Sequence, residues 1–135
     1  MKIIHLLILT IVALLFIGCQ SSRQLSLLPP TPAGVQSARI YLLRPHRFVG
    51  DGVATGLYLD GQSITQLASG DYTIFRVSPG QHMIASKIGD SGFGSQPVNC
   101  EAGKEYFFRA ISAITPLSTT DGEQLRARLN YVPLN

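Results

Sequence analysis

The chain has 135 residues, room for one domain and little else. It is 45% hydrophobic and only 14% charged, which excludes a disordered, solvating chain. Its formal charge of +3 is spread along the sequence without a dense Lys/Arg stripe, so no nucleic-acid partner is expected. Thirteen glycines and eight prolines, with few helix-forming runs, lean toward β structure with many turns.

The first element is an apolar run, Ile3–Ile17, behind the single positive charge of Lys2 and broken only by His5 and Thr10. As a helix it would reach roughly 22 Å, against about 30 Å of bilayer hydrocarbon. That is marginal for a membrane span and well sized for the apolar core of a signal peptide. The run ends in Phe16-Ile17-Gly18-Cys19, a small residue directly before a cysteine. This resembles the lipobox of bacterial lipoproteins, with Phe16 where leucine is usual. The resemblance implies a diacylglycerol on the Cys19 thiol, removal of residues 1–18, and a mature chain that begins at an acylated Cys19. No other cofactor is expected. Gln20, in place of Asp, implies sorting to the outer membrane, facing the periplasm. The alternative is an uncleaved anchor helix with an incidental cysteine. Two or more acyl chains give stable anchoring where one does not.

Residues 19–37 carry Ser, Gln, Pro and Gly without a sustained period and read as a tether. Leu25, Leu27 and Leu28 within it offer a second possibility, an edge packed onto the domain. The domain itself is expected over 38–135. "ARIYLLR" (38–44) is rich in β formers and stops at Pro45. Residues 56–87 read as four short strands punctuated by Asp60-Gly61, Gly70-Asp71 and Pro79-Gly80, each suited to a turn. Their spacing is that of an all-β sandwich. Alternation in the strand from Tyr72 is incomplete at Ile74 and Phe75, so both faces are expected to be partly covered. In "HMIASK" Met83 and Ala85 face opposite to His82 and Ile84. A Gly/Ser loop (89–96) follows, then two strands hinged at Ala102-Gly103. "QLRARLNYV" (124–132) alternates between Leu125, Ala127, Leu129, Tyr131 and Arg126, Arg128, Asn130. With Asp121-Gly122 as a hairpin signal, that alternation predicts a strand. A helix capped by Thr119 or Thr120 is the alternative. The expected fold is a small antiparallel β-sandwich of seven to eight strands.

Arg44-Pro45, Phe48-Val49-Gly50, "YLDG", "VSPGQH" and "EAGKEYFF" together resemble the bacterial family of unknown function DUF2846, over most of residues 38–113. The "LDG" to "SPGQH" half also resembles PEGA-type and carboxypeptidase-regulatory-like β-sandwich modules. The resemblance implies a small β-sandwich and no assigned activity.

Residues with chemistry are sparse. "GDSG" (89–92) is similar to the nucleophile segment of trypsin-like proteases, but that fold needs a much longer chain and partners absent here. A glycine loop is the simpler account of Ser91. His46, His82 and Cys100 lack metal-ligand spacing, so no metal is expected. Asp51, Asp60, Asp71 and Asp121 adjoin glycines and suit turns. With Cys19 lipidated, Cys100 has no intrachain partner; it is expected in the core, with an intermolecular disulfide as the alternative. The remaining candidate is "RPHRFVG", where Arg44, His46 and Arg47 could contact an anion or sugar, or could instead bond to backbone carbonyls of a neighbouring turn. The expected role is that of a non-enzymatic, lipid-anchored module of the bacterial cell envelope. It would bind or scaffold an envelope protein or glycan, or serve as an accessory subunit of a secretion, adhesion or envelope-maintenance machine.

Overall fold

The computed structural model describes residues 36–47, 52–89 and 94–134. Cys19, the signal segment, nearly all of the tether, Phe48-Val49-Gly50, Asp51 and Ser91 lie outside them. Among the described residues, nine strands and one helix follow in order: β1 (Ala38–Leu43), β2 (Thr55–Leu59), β3 (Gln62–Leu67), β4 (Asp71–Val77), β5 (Gly80–Ile88), β6 (Gly94–Cys100), β7 (Glu105–Ala110), β8 (Ile114–Leu117), α1 (Thr119–Arg126) and β9 (Asn130–Tyr131). They form a five-stranded sheet, β8-β7-β1-β4-β9, and a four-stranded sheet, β3-β2-β5-β6.

The turns follow from local chemistry. Asp60 (φ 50°) and Gly61 (φ 81°) make the two-residue link from β2 to β3. Two positive φ values match the twist of a tight hairpin. Gly103 (φ 74°) sits between β6 and β7. The chain crosses between sheets after β1, β3, β4 and β6, so each sheet mixes strands distant in sequence.

Between the sheets lies the main core: Ile40 and Leu42 from β1, Phe75 and Val77 from β4, and Phe108 from β7, against Leu57, Leu67 and Ile84 of the four-stranded sheet. Ile84 is wholly buried and Met83 is exposed, the alternation expected of β5. A second, smaller cluster covers the opposite face of the five-stranded sheet. There Tyr41, Leu43, Tyr72 and Phe107 pack with Leu117, Leu125 and Leu129. β1 is therefore buried on both faces, which is why "ARIYLL" reads as an apolar run rather than an alternation. Burying Ile40, Leu42 and Leu43 fully contributes about 1.5–3 kcal/mol each.

The expected β-sandwich is what the strands build, with nine strands among the described residues where seven or eight were expected; two further details are corrected. The sheets are not purely antiparallel: β1 pairs in parallel with β7, and β4 with β9. β7 reaches β1 only after the chain has passed through the other sheet, so no tight turn forces the two to run antiparallel. Nor is 124–132 one strand. Thr119–Arg126 is a helix, capped by the Ser118 side chain, which accepts from the Asp121 N–H at 3.1 Å. Only Asn130–Tyr131 pair as strand. Gly122 is not a hairpin residue. It is buried on the helix face that meets Phe107, where a Cβ would run into the ring. Packing of Leu125, in the helix, and of Leu129, just past its end, on the second cluster outweighs the period-two pattern.

Candidate functional site

The three predicted contact residues do not form one face. Arg44, at the end of β1, is only 5% exposed. Its guanidinium donates to the backbone carbonyls of Leu67, at the end of β3, and Val53, just before β2. Its own backbone continues the ladder, with Arg44 N–H donating to Asp71 O and Gly70 N–H to Arg44 O, both at 2.9 Å. Arg44 thus ties three strand ends together. His46 and Arg47 remain exposed. The His46 ring lies against Gly70, whose φ of 85° and missing Cβ make room for it. Nearby, Thr55 Oγ1 and Ser86 Oγ are buried with no hydrogen-bond partner among the described residues.

His82 and Asp60 meet although 22 residues separate them. His82 Nδ1 is 2.8 Å from Asp60 Oδ2, and His82 Nε2 is 2.8 Å from Ser78 O. The other carboxylate oxygen of Asp60 accepts from Met83 N–H at 2.8 Å. Both ring nitrogens face acceptors, so the imidazolium alone can donate to both. Burial disfavours that charge, but the Asp60 carboxylate and the Ser78 carbonyl outweigh it and raise the pKa above the usual 6.5. With both nitrogens committed, this pair is a clamp between the β2–β3 and β4–β5 turns and is poorly arranged for proton transfer. Cys100 is 2% exposed, and burial, with the Asp60 charge, pushes its thiol up to about 11. It is a core thiol, inert at neutral pH. Among the described residues, no group of His, Cys, Asp and Glu could hold a metal ion. No helix among them is long and apolar enough to cross a membrane.

The most distinctive surface is the outer face of the five-stranded sheet. In register, β1 places Arg39 opposite Arg76 of β4, and Tyr41 opposite Ile74. Helix α1 covers the β7 side of this face: Tyr41 stacks on Phe107 at 4.4 Å, and the Arg126 guanidinium lies 5.9 Å from the Tyr41 ring centre. The β4 side is left open. A groove of about 380 Å³ there is lined by Arg39, Tyr41, Ile74, Arg76, Tyr131 and Leu134, among others. A second hollow, around Gln36, Ser37 and Gly103, shares the same two arginines. Arg39 is paired with Glu105 at 2.7 Å. Arg76 has no ion pair among the described residues. Two guanidinium groups on directly opposed residues repel each other, and Glu105 offsets one of them. An anionic group placed here would relieve the rest.

Sequence reasoning missed this site. Its one local signal was a single arginine among the β formers of each of two strands, "ARIYLL" and "DYTIFRV". Only the register between β1 and β4 brings them together.

A family model described as a protein of unknown function (DUF2846) matches residues 34–122. That stretch holds β1 through β8 and the start of α1. Comparison with curated proteins finds none that matches.

Proposed function

The chain belongs to the DUF2846 family, and from that premise we propose that it is a lipid-anchored binding or scaffolding module of the bacterial cell envelope. The observation that carries the binding role is the open groove with its opposed arginines on an otherwise apolar sheet face. A monomeric module with no recognition task has no reason to leave like charges facing each other beside exposed apolar surface.

The anchor rests on the sequence: an apolar run ending in Gly18-Cys19, followed by a polar, proline-bearing segment. Acylation of Cys19 would place the domain on the outer membrane, facing the periplasm. The tether, residues 20–37, would let the groove reach partners held near the same surface, at an effective concentration far above that of free diffusion. The role is non-catalytic, since His82 has both nitrogens engaged and Cys100 is buried.

Metabolic labelling with a palmitate analogue tests the anchor. Wild type takes up label and fractionates with membranes; Cys19→Ala does neither. Label that persists in Cys19→Ala defeats the lipoprotein reading. In-cell crosslinking from Tyr131, at the groove, tests the binding role. A discrete adduct lost in Arg76→Glu supports it, and an adduct indifferent to that change refutes it.

A further inference from the structure

The groove lies against a sheet edge where Ile74 and Arg76 have no backbone partner on the far side among the described residues. The ladder between β1 and β4 sets the alternation. Asp71 O accepts from Arg44 on the β1 side, whereas Tyr72 O accepts from Val132 N–H at 2.8 Å on the far side. In an antiparallel pair this parity continues along the strand. Thr73, Phe75 and Val77 therefore bond toward β1, while Ile74 and Arg76 present N–H and C=O groups to the far side. β9 pairs only with Asp71 and Tyr72; beyond it Val132 and Leu134 pack on the main core beside this edge, with Thr73 Oγ1 donating to Val132 O at 2.8 Å, so a strand added from Ile74 on has to displace Pro133 and Leu134. Pro133 has no N–H, and none of the described residues forms a backbone hydrogen bond to Ile74 or Arg76 on that side.

We propose that this edge takes an extended, acidic segment of a partner protein as an added strand, with a carboxylate side chain set between Arg76 and Arg39. The idea rests on the binding role proposed above and names its partner's chemistry. Strand addition takes affinity from backbone bonds and specificity from every second side chain. A residue laid opposite Arg76 puts its side chain on the outer face, within about 5 Å of Cβ contact. A carboxylate there meets a guanidinium that has no ion pair among the described residues. Its neighbours two residues away lie along Ile74 and Tyr131, which favour an apolar or aromatic side chain. The chain's own residues 20–35 do not meet this requirement: they hold Arg23 and neither Asp nor Glu.

The test uses the full chain purified in detergent from its own membranes. One probe is a synthetic strand-forming peptide of Val and Thr with a single central Glu and Val two residues to either side of it; another has Lys in place of that Glu; a third is the Glu peptide with alternate amides N-methylated. Fluorescence anisotropy reads binding. Hydrogen-exchange mass spectrometry reads the segment from Thr73 to Val77. The Glu peptide is expected to bind, and to slow exchange in that segment. The Lys and N-methylated peptides are expected to bind at least tenfold more weakly. Arg76→Glu should reverse the preference between the Glu and Lys peptides, with its thermal unfolding checked against wild type. Should that variant fold poorly, Arg76→Gln should still lose at least fivefold for the Glu peptide. Equal binding of Glu and Lys peptides, or unchanged exchange in 73–77, overturns the proposal. Self-association that alone protects the same segment, or binding to phosphatidylglycerol vesicles with none to the Glu peptide, overturns it too. The Cys19 label is read independently, so loss of the anchor and loss of the acidic-strand site cannot be confused.

Discussion

Arg44 holds a charged side chain among backbone carbonyls where β1, β2 and β3 come together. A buried guanidinium is tolerated because its fork is matched by acceptors. Replacing it with alanine would strand the carbonyls of Leu67 and Val53. Arg44→Ala is therefore expected to cost about 2–4 kcal/mol, since each unsatisfied buried acceptor costs about 1–3 kcal/mol. Arg44→Lys should recover only part, because an ammonium cannot reproduce the planar fork. Urea midpoints at constant slope measure both. His82 gives a pH dependence of determined sign. Its folded pKa is raised, so the clamp to Asp60 and Ser78 contributes fully below the unfolded value of about 6.5. That contribution is lost as pH rises through the folded pKa. Wild type should therefore lose thermal stability relative to His82→Gln between pH 6 and 9. Parallel curves for the two proteins would contradict the clamp.

Helix α1 shows how an element is decided by what it lies against. Its helix propensity is weak: Thr119 and Thr120 open it and Gly122 sits within it. It forms because Ser118 caps it and because Leu125 packs on the aromatic face of the sheet. Gly122 lets the helix approach Phe107 closely. Gly122→Ala would add about 1 kcal/mol of helix propensity, yet is expected to destabilise the protein by about 1–3 kcal/mol, because the new Cβ overlaps the ring. Gln124→Ala, on the exposed side, should be neutral or slightly stabilising. A melting comparison of the two separates propensity from packing. The same reasoning applies to β1, whose apolar residues on both faces, Arg39 aside, are explained by two covered faces, one from each hydrophobic cluster.

For the whole molecule, the arrangement is a helix on a sheet on a sheet, with β1 at the centre of the five-stranded sheet between β7 and β4. Local opening should follow that layering. Hydrogen exchange is expected to be slowest in β1, intermediate in β2 and β5, and fastest in the two-residue β9 and at the free side of β6. A β9 that exchanged as slowly as β1 would be inconsistent with the open edge beside it. Net charge says little at this scale, because +3 is the sum of scattered groups. What matters is that the β1–β4 register concentrates two of them on one uncovered face.

Much of the fold was legible in the sequence because it rests on local physics. Asp60-Gly61 and Gly103 mark turns by their tolerance of positive φ, and the β formers between them make strands. The family resemblance, carried by short motifs at those same turns, could be read in the same way. Tertiary structure alone decided the rest. Whether "QLRARLNYV" became helix or strand depended on a sheet face made by residues far upstream. Arg44 became a tie between strands because β2 and β3 fold back over it. His82 met Asp60, and Arg76 met Arg39, only through the turns and pairings that close the sandwich. The candidate site is built from those long-range meetings. Its residues carry no pattern along the chain, because the distance that matters between Arg39 and Arg76 is measured across the sheet.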